Sequence, residues 1–385
     1  MLRSLLNCRK VKMNITLVGA GNMGLALTAY LSINRKADVT LFTKREIGLL
    51  RFQDVEKKIQ RETNAYTTSE NPEEAFSNAD MILVTYPAFL RKKFIEENQD
   101  YIHSGTYLGF VPGYGGAEYS CKELLEKGVV IFGFQRVPYV ARASQDENGG
   151  YVASVLSSKK QLFIGAIPNS KTSEIANVIE GLLDIPVVNL KEYLSITLAP
   201  SNPLMHITGL YNVFKDYTNG QVFSTPLKFY EEWNDEASKL LFAYDAELQN
   251  ICKQLSPLDM SEVVSLPVYY ESPTPEDMTR KLKSIESFKA VTVPLKQTQE
   301  GYIPDLSSRM FIEDYPFGVC VIKDFARMLG VDTPVVDLLL EFYERLSGHK
   351  YFRPDGSYTE EIAATGIPGI HGIHSKDGLI SFYHR

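Results

Sequence analysis

Two sets of residues in this sequence have types and spacings suited to chemistry. The first is a glycine run, Gly19, Gly21 and Gly24, with Asn22 and Met23 between the second and third. The first glycine permits a tight turn, the second lets backbone approach a pyrophosphate, and the third lets the next helix pack on the preceding strand. The N-terminus of that helix then faces the phosphates. The second set lies far along the chain: His206, in Asn202-Pro203-Leu204-Met205-His206, and Arg309 with Asp314, just before Tyr315-Pro316-Phe317-Gly318. An imidazole moves protons near neutral pH, and a guanidinium grips a carboxylate in two places. Each also has a plainer reading, as a structural hydrogen-bonding histidine and as a salt bridge within one domain.

The elements that must hold these residues follow from the pattern around them. Ile15–Val18 reads as a strand, Leu25–Leu31 as an apolar helix and Asp38–Thr43 as a second strand, which completes a βαβ unit. The N-terminal part is therefore expected to be an α/β, Rossmann-like dinucleotide-binding domain. An acid at the end of the second strand would accept bonds from the ribose 2′-hydroxyl and repel a 2′-phosphate. Here that end is Thr43 followed by Lys44 and Arg45, so NADP is favoured, with NAD still open; a solvated turn is the plainer alternative. Met81–Thr85 reads as a buried parallel strand, and the loop beyond it, with Tyr86, Pro87 and Phe89, is placed beside the cofactor; Phe89 reads equally as core. Further strands are expected at Thr106–Val111, running into Pro112–Gly116, and at Val129–Phe134, leading to Gln135 and Arg136, with a helix at Tyr119–Lys127 between them. Tyr151–Val155 and Gln161–Gly165 read as a hairpin turning at Ser157–Lys160. A helix at Ser173–Leu183 and a strand at Ile185–Asn189 close the domain, set at residues 13–190.

From 191 to 385 helical periodicity replaces strands, as expected of a mostly α-helical second domain. Asn202 and Pro203 suit an N-cap and a first helical position, which puts His206 in a first turn, where the helix dipole disfavours a charged ring. Leu227–Leu255 reads as a long amphipathic helix, and Val319–Leu329 and Thr333–Leu346 as two more. His371 and His374 are too few for a metal site and read as a loop.

The chain has 385 residues and a formal charge of -7, which argues against nucleic acid and anionic membranes as partners. The cysteines, Cys8, Cys121, Cys252 and Cys320, are widely spaced, as free thiols in a reducing, cytoplasmic setting would be. Met1–Lys12 is too short in apolar character for a signal peptide and reads as a frayed extension. No run is long and apolar enough to span a bilayer.

Taken in order, the glycine run, Pro112-Gly-x-Gly-Gly116, Pro138-Tyr-x-x-Arg142, Asn202-Pro-x-x-His206 and the Arg309, Asp314 segment resemble the opine dehydrogenases, the octopine and nopaline group that includes bacterial opine-metallophore enzymes. The likeness runs from about Met13 to about Leu346. It implies reductive joining of an α-keto acid to the amino group of an amino-acid-type substrate, with hydride from a nicotinamide cofactor. By that resemblance His206 is the proton carrier, Asp314 its carboxylate brace and Arg309 the keto-acid clamp, the three converging over the nicotinamide. Asn202, Gln135, Tyr139 and Arg142 join the substrate set. Gln135 replaces a glutamate common in arginine-using members, so a cationic amine is disfavoured, and Arg136 and Arg142 suggest an anionic one. A homodimer is an assembly open to such an enzyme. The alternatives are a two-domain ketopantoate or glycerol-3-phosphate type of reductase, for which Lys191 is the lysine to check, and a non-catalytic NADP-binding sensor.

Overall fold

The run Ile15–Val18 is buried residue by residue because it is a middle strand of a parallel sheet, covered on both faces. The chain is described from a computed structural model, for residues 12–147, 149–199 and 201–384. Cys8 and all but the last residue of the Met1–Lys12 extension lie outside them. Two compact units result. One comprises the chain up to Gly113 together with Ser120–Tyr193; the other comprises Tyr114–Tyr119 and Leu194–His384.

The strands of the first unit are β1 (Asn14–Val18), β2 (Asp38–Phe42), β3 (Leu50–Asp54), β4 (Ile59–Thr63), β5 (Thr67–Ser69), β6 (Met81–Val84), β7 (Tyr107–Phe110), β8 (Val130–Phe134), β9 (Tyr139–Gln145), β10 (Tyr151–Ser158), β11 (Leu162–Ile167) and β12 (Val187–Asn189). Its helices are α1 (Asn22–Ile33), α2 (Pro72–Phe76), α3 (Ala88–Asn98), α4 (Lys122–Glu126) and α5 (Thr172–Leu183). The main sheet has the order β12-β11-β8-β7-β6-β1-β2-β5. It is parallel apart from the β8–β11 pair. The chain reverses its direction of travel across the sheet at β1, between β2 and β6. Ligands of doubly wound sheets sit beyond the strand ends at such a reversal, and the glycine turn is there.

A second sheet, β4-β3-β10-β9, was not expected. The hairpin read at Tyr151–Val155 and Gln161–Gly165 is corrected by it. β10 pairs with β9 and β3, whereas β11 pairs with β8 and β12 in the main sheet, so the segment after Ser158 crosses between sheets instead of turning a hairpin. The physical reason is burial: β11 is buried along nearly all of its length, the mark of an interior strand, while β10 alternates.

The second unit contains α6 (Leu194–Thr197), α7 (Ser201–Phe214), α8 (Asp235–Gln254), α9 (Leu266–Tyr269), α10 (Pro275–Ser284), α11 (Arg309–Ile312), α12 (Cys320–Leu329), α13 (Pro334–Ser347) and α14 (Lys376–Tyr383). A short hairpin, β13 (Leu295–Gln297) with β14 (Tyr302–Pro304), accompanies them. The helix read at Leu227–Leu255 begins at Asp235 instead. Asn234 caps it, its side chain accepting from the Ala237 N–H at 2.9 Å. The backbone before it is already committed: Phe229 N–H donates to the Val291 carbonyl and Val293 N–H to the Leu227 carbonyl, each at 2.9 Å. Trp233 is buried and donates to Ser238 Oγ at 2.9 Å, fixing the bend into α8.

Cys121, Cys252 and Cys320 are free and buried. Among the described residues no helix is long and apolar enough to cross a membrane, and no cluster of side chains has the makeup of a metal site.

Candidate active site

In the first unit, α1 starts directly after Gly21, with no side-chain cap on its first turn. Its leading N–H groups are thus left for an external acceptor. Gly19 adopts φ +100°, and a Cβ on Gly24 would lie 1.8 Å from the Gly19 carbonyl oxygen, so the turn and the helix close on each other only with glycine at both places. A Cβ on Gly21 would meet nothing within 4 Å, which leaves open space above the turn. A cavity there is lined by Gly19–Gly21, Phe42–Arg45, Glu70 and Thr85–Pro87. The residues fit a dinucleotide phosphate: free helix N–H groups, a side-chain-free approach and two nearby cations.

Thr43 Oγ1 accepts from the Arg45 N–H at 3.1 Å and shapes the turn that carries both cations. Arg45 reaches back and donates to the Ala20 carbonyl at 3.2 Å. Lys44 is exposed and makes no ion pair among the described residues. Tyr86 lies against Gly19, and Pro87 precedes α3. Glu70, on the same wall, was missed in the sequence because β5, which positions it, is only three residues long. Two expected contacts shift: the Asn22 side chain accepts from the Ala143 N–H at 2.8 Å, so it anchors β9, and Met23 packs against the core. Phe89 lies on α3 with its side chain partly exposed.

In the second unit His206 lies on α7, and its Nδ1 is 2.8 Å from Asp314 Oδ2. Asp314 is 4 % exposed. Burial pushes its carboxyl up from the ordinary carboxylate value, and the neighbouring His206 pulls the other way. An ionised Asp314 can only accept, so Nδ1 donates to it, and in the neutral tautomer of the ring that leaves the lone pair on Nε2. The imidazole is part-exposed, with 20 % of its side chain accessible.

The local sequence explains the approach. Pro316 has no N–H to continue the helix begun by α11, and the backbone widens into a π-helical turn at Tyr315–Val319, as it does where an inserted residue breaks the ladder. Gly318 within that turn faces Pro203 of α7; a Cβ there would lie 2.5 Å from Pro203 Cβ. The absence of a side chain brings Asp314 to His206.

Arg309 opens α11 with an exposed side chain. Its Nε donates to Glu313 Oε2 at 2.6 Å, and Nη2 contacts the same oxygen. Glu313 is 2 % exposed. The salt bridge that the sequence left open between Arg309 and Asp314 is thus replaced by two separate pairs, Arg309 with Glu313 and Asp314 with His206. Glu313 was missed; its only signal was the four-residue spacing from Arg309, which faces both along one side of a helix. Asn202 is exposed in the first turn of α7.

The remaining expected substrate residues belong to the first unit. Gln135 is part-buried, its N–H bonded to the Phe163 carbonyl at 2.9 Å. Arg142 is exposed on β9 and donates to the Ala141 carbonyl at 3.2 Å. Tyr139 is corrected: it is 3 % exposed and part of the first unit's core, its ring centroid 5.9 Å from that of Tyr30. An aromatic at the start of β9 fills the space over α1 rather than a substrate surface.

The family model for the alpha-helical domain of NAD/NADP octopine/nopaline dehydrogenases matches residues 189–347, and the ketopantoate reductase PanE/ApbA model matches residues 15–143. The chain is 26% identical to a tauropine dehydrogenase of Arabella iricolor, over 95% of this chain and 99% of that one. It is also 26% identical to an opine dehydrogenase of Haliotis discus hannai, over 81% of this chain and 80% of that one. Among solved structures, an octopine dehydrogenase with NADH and pyruvate superposes with a TM-score of 0.84 at 21% identity, covering 96% of this chain and 98% of the other. That last likeness is one of fold.

Proposed function

We propose that this chain is a member of the opine dehydrogenase family, which it resembles in its helical domain and along most of its length, and an NADP-dependent opine dehydrogenase joining an α-keto acid to the amine of an amino-acid-type substrate. The named relatives are dehydrogenases of tauropine, opine and octopine, which places the chain among NAD(P)-dependent oxidoreductases acting on CH–NH bonds. The observation that carries the proposal is the 2.8 Å bond between His206 Nδ1 and a buried Asp314.

Condensation needs a free amine, so a base must take the ammonium proton; His206 Nε2 is available for it. Amine attack on the keto carbon gives a carbinolamine, and the same imidazole, now protonated, returns its proton to the carbinol oxygen, which leaves as water. Asp314 holds the ring in the tautomer required for the first step and stabilises the imidazolium between the two. Arg309, steadied by Glu313, takes the substrate carboxylate. The dinucleotide, when bound, supplies the hydride that reduces the resulting iminium to a secondary amine.

NADPH is preferred because Lys44 and Arg45 together outweigh Glu70 on the wall that would meet the ribose 2′-position. NADPH oxidation should require a keto acid and an amine together, and should exceed NADH oxidation at equal concentration. Oxidation with ketopantoate alone would favour the reductase suggested by the first-unit match and overturn this reading. His206→Ala should lower turnover by about 10²–10⁴-fold while leaving NADPH binding, read by its fluorescence, unchanged.

A further inference from the structure

The glycine turn is tied to the sheet on both sides. β1 lies between β2 and β6, and on the β2 side the Gly19 N–H donates to the Phe42 carbonyl at 3.2 Å. On the β6 side the backbone ladder ends one residue earlier, where the Thr85 N–H donates to the Val18 carbonyl at 3.0 Å. The part-buried Thr85 side chain carries the pairing on. Its hydroxyl donates to the Val18 carbonyl at 2.8 Å and reaches the Gly19 carbonyl at 3.4 Å, one hydrogen shared between two acceptors.

Where that oxygen sits matters more than the bonds it makes. A Cβ on Gly19 would lie 3.1 Å from Thr85 Oγ1, and one on Gly24 would lie 3.0 Å from it. The hydroxyl therefore fills the corner between the first and third glycines, where α1 closes on the turn. Tyr86 lays its ring on the same glycine, with Cδ1 and Cε1 each 2.9 Å from the position of a Gly19 Cβ. A β-branched side chain has few χ1 choices, so the hydroxyl is preset. Removing it would leave the Val18 carbonyl with its backbone bond from Thr85, so that acceptor is not stranded. What the hydroxyl adds is the setting of the Gly19 peptide against Gly24, and with it the direction of the uncapped N–H groups that open α1.

We propose that Thr85 is a positioning residue for the dinucleotide: its hydroxyl locks the Gly19 peptide against Gly24 and so aims the first N–H groups of α1 at the pyrophosphate. This rests on the dinucleotide reading of the glycine turn. It assigns the effect of Thr85 to the part that every dinucleotide shares, and not to the 2′-phosphate or the nicotinamide.

The test measures dissociation constants on the full chain, for NADPH and NADH by fluorescence and for ADP-ribose, which has the pyrophosphate and no nicotinamide, by calorimetry. Thr85→Val keeps the shape and removes the hydroxyl. It should weaken all three ligands by one common factor, roughly three- to tenfold, and leave the NADPH-to-NADH ratio as in the native chain. Thr85→Ser restores the hydroxyl and should bind within about twofold of the native chain. A side chain that only stabilised the sheet would lower the melting midpoint of Thr85→Val and leave the three constants, read well below that midpoint, unchanged; that result overturns the proposal. So does a loss for NADPH without a loss for ADP-ribose, which would put Thr85 at the nicotinamide, and so does a loss in Thr85→Ser as large as in Thr85→Val. Should Thr85→Val not fold, Thr85→Ala is compared with Thr85→Ser on the same constants. A native chain that binds none of the three ligands overturns the dinucleotide reading and this proposal with it, whereas unchanged binding in the variant overturns the assignment of Thr85 alone.

Discussion

Glu313 shows how much a single side chain can do at this site without meeting the chemistry. Its carboxylate is buried, and it receives Arg309 through Nε at 2.6 Å, leaving the rest of an exposed guanidinium presented outward. Glu313→Gln keeps the shape and removes the charge. Because Arg309 is largely solvent-exposed, the lost pairing is screened by solvent; KM for the keto acid should rise roughly three- to tenfold with little change in kcat. Equal loss in kcat and kcat/KM would instead make Glu313 part of transition-state stabilisation. Asp245, on α8, offers a pH-dependent counterpart. It is 3 % exposed, accepts only from the Leu266 N–H at 3.2 Å among its described bonds, and burial raises its carboxyl from 3.8 to about 6. The folded state therefore binds this proton more tightly than the unfolded chain, so stability from this group is full below pH ~4 and is lost as pH rises through ~6. The loss amounts to about 3 kcal/mol at most. Asp245→Asn should flatten the pH dependence of urea midpoints across that window; an unchanged slope rejects the assignment. At this scale His206 was legible from its place after Asn202-Pro203, whereas Glu313 was not, since adjacent acids at 313 and 314 look alike until the helix turns them to different partners.

The elements explain which parts of the sequence could be read. β1, α1 and β2 announce themselves because glycine spacing, apolar period and strand length agree. β4 did not, since residues 59–62 are exposed and carry no apolar alternation; it is held by pairing with β3, and β3 in turn by β10, a contact distant in sequence. The start of α8 was misread for a related reason: Leu227–Phe229 has helical periodicity, but its backbone is bonded to Val291–Val293. The π-helical turn at Tyr315–Val319 is the element on which the candidate site rests, and Gly318 tests it. A methyl group there would sit 2.5 Å from Pro203 Cβ, and the turn must move away from α7. Gly318→Ala should cost about 1–3 kcal/mol in stability. Through a longer His206–Asp314 separation it should also lower kcat by roughly tenfold or more, with NADPH binding unaffected. Native kcat in a destabilised variant would detach this turn from catalysis.

On the scale of the whole chain, the second unit is closed by segments remote in sequence, Tyr114–Tyr119 and the residues after α13. The resemblance in the sequence stopped near Leu346, and the remaining tail looked like loop because its glycines and prolines hide its apolar residues. Those residues are deeply buried: Ile367 and Leu379 are 0 % exposed, Phe382 3 % and Tyr383 2 %. Its polar groups complete networks that would otherwise be left open. Asp324, also 0 % exposed, accepts from the Tyr358 hydroxyl at 2.5 Å and the Gly369 N–H at 3.0 Å. The Tyr383 hydroxyl bonds to Glu118 at 3.0 Å and to the Tyr119 hydroxyl at 2.6 Å. Burying each large apolar side chain contributes about 1.5–3 kcal/mol, so these four alone match a typical net stability of about 5–15 kcal/mol. A chain ending at Tyr351 should therefore fail to give a cooperative melt. Tyr383→Phe keeps the packing and removes one hydroxyl, which should cost about 1–3 kcal/mol and lower the melting midpoint by only a few degrees. If the shortened chain melted as cooperatively and as high as the full one, the tail would be an appendage and the second unit would have to be stable on its helices alone.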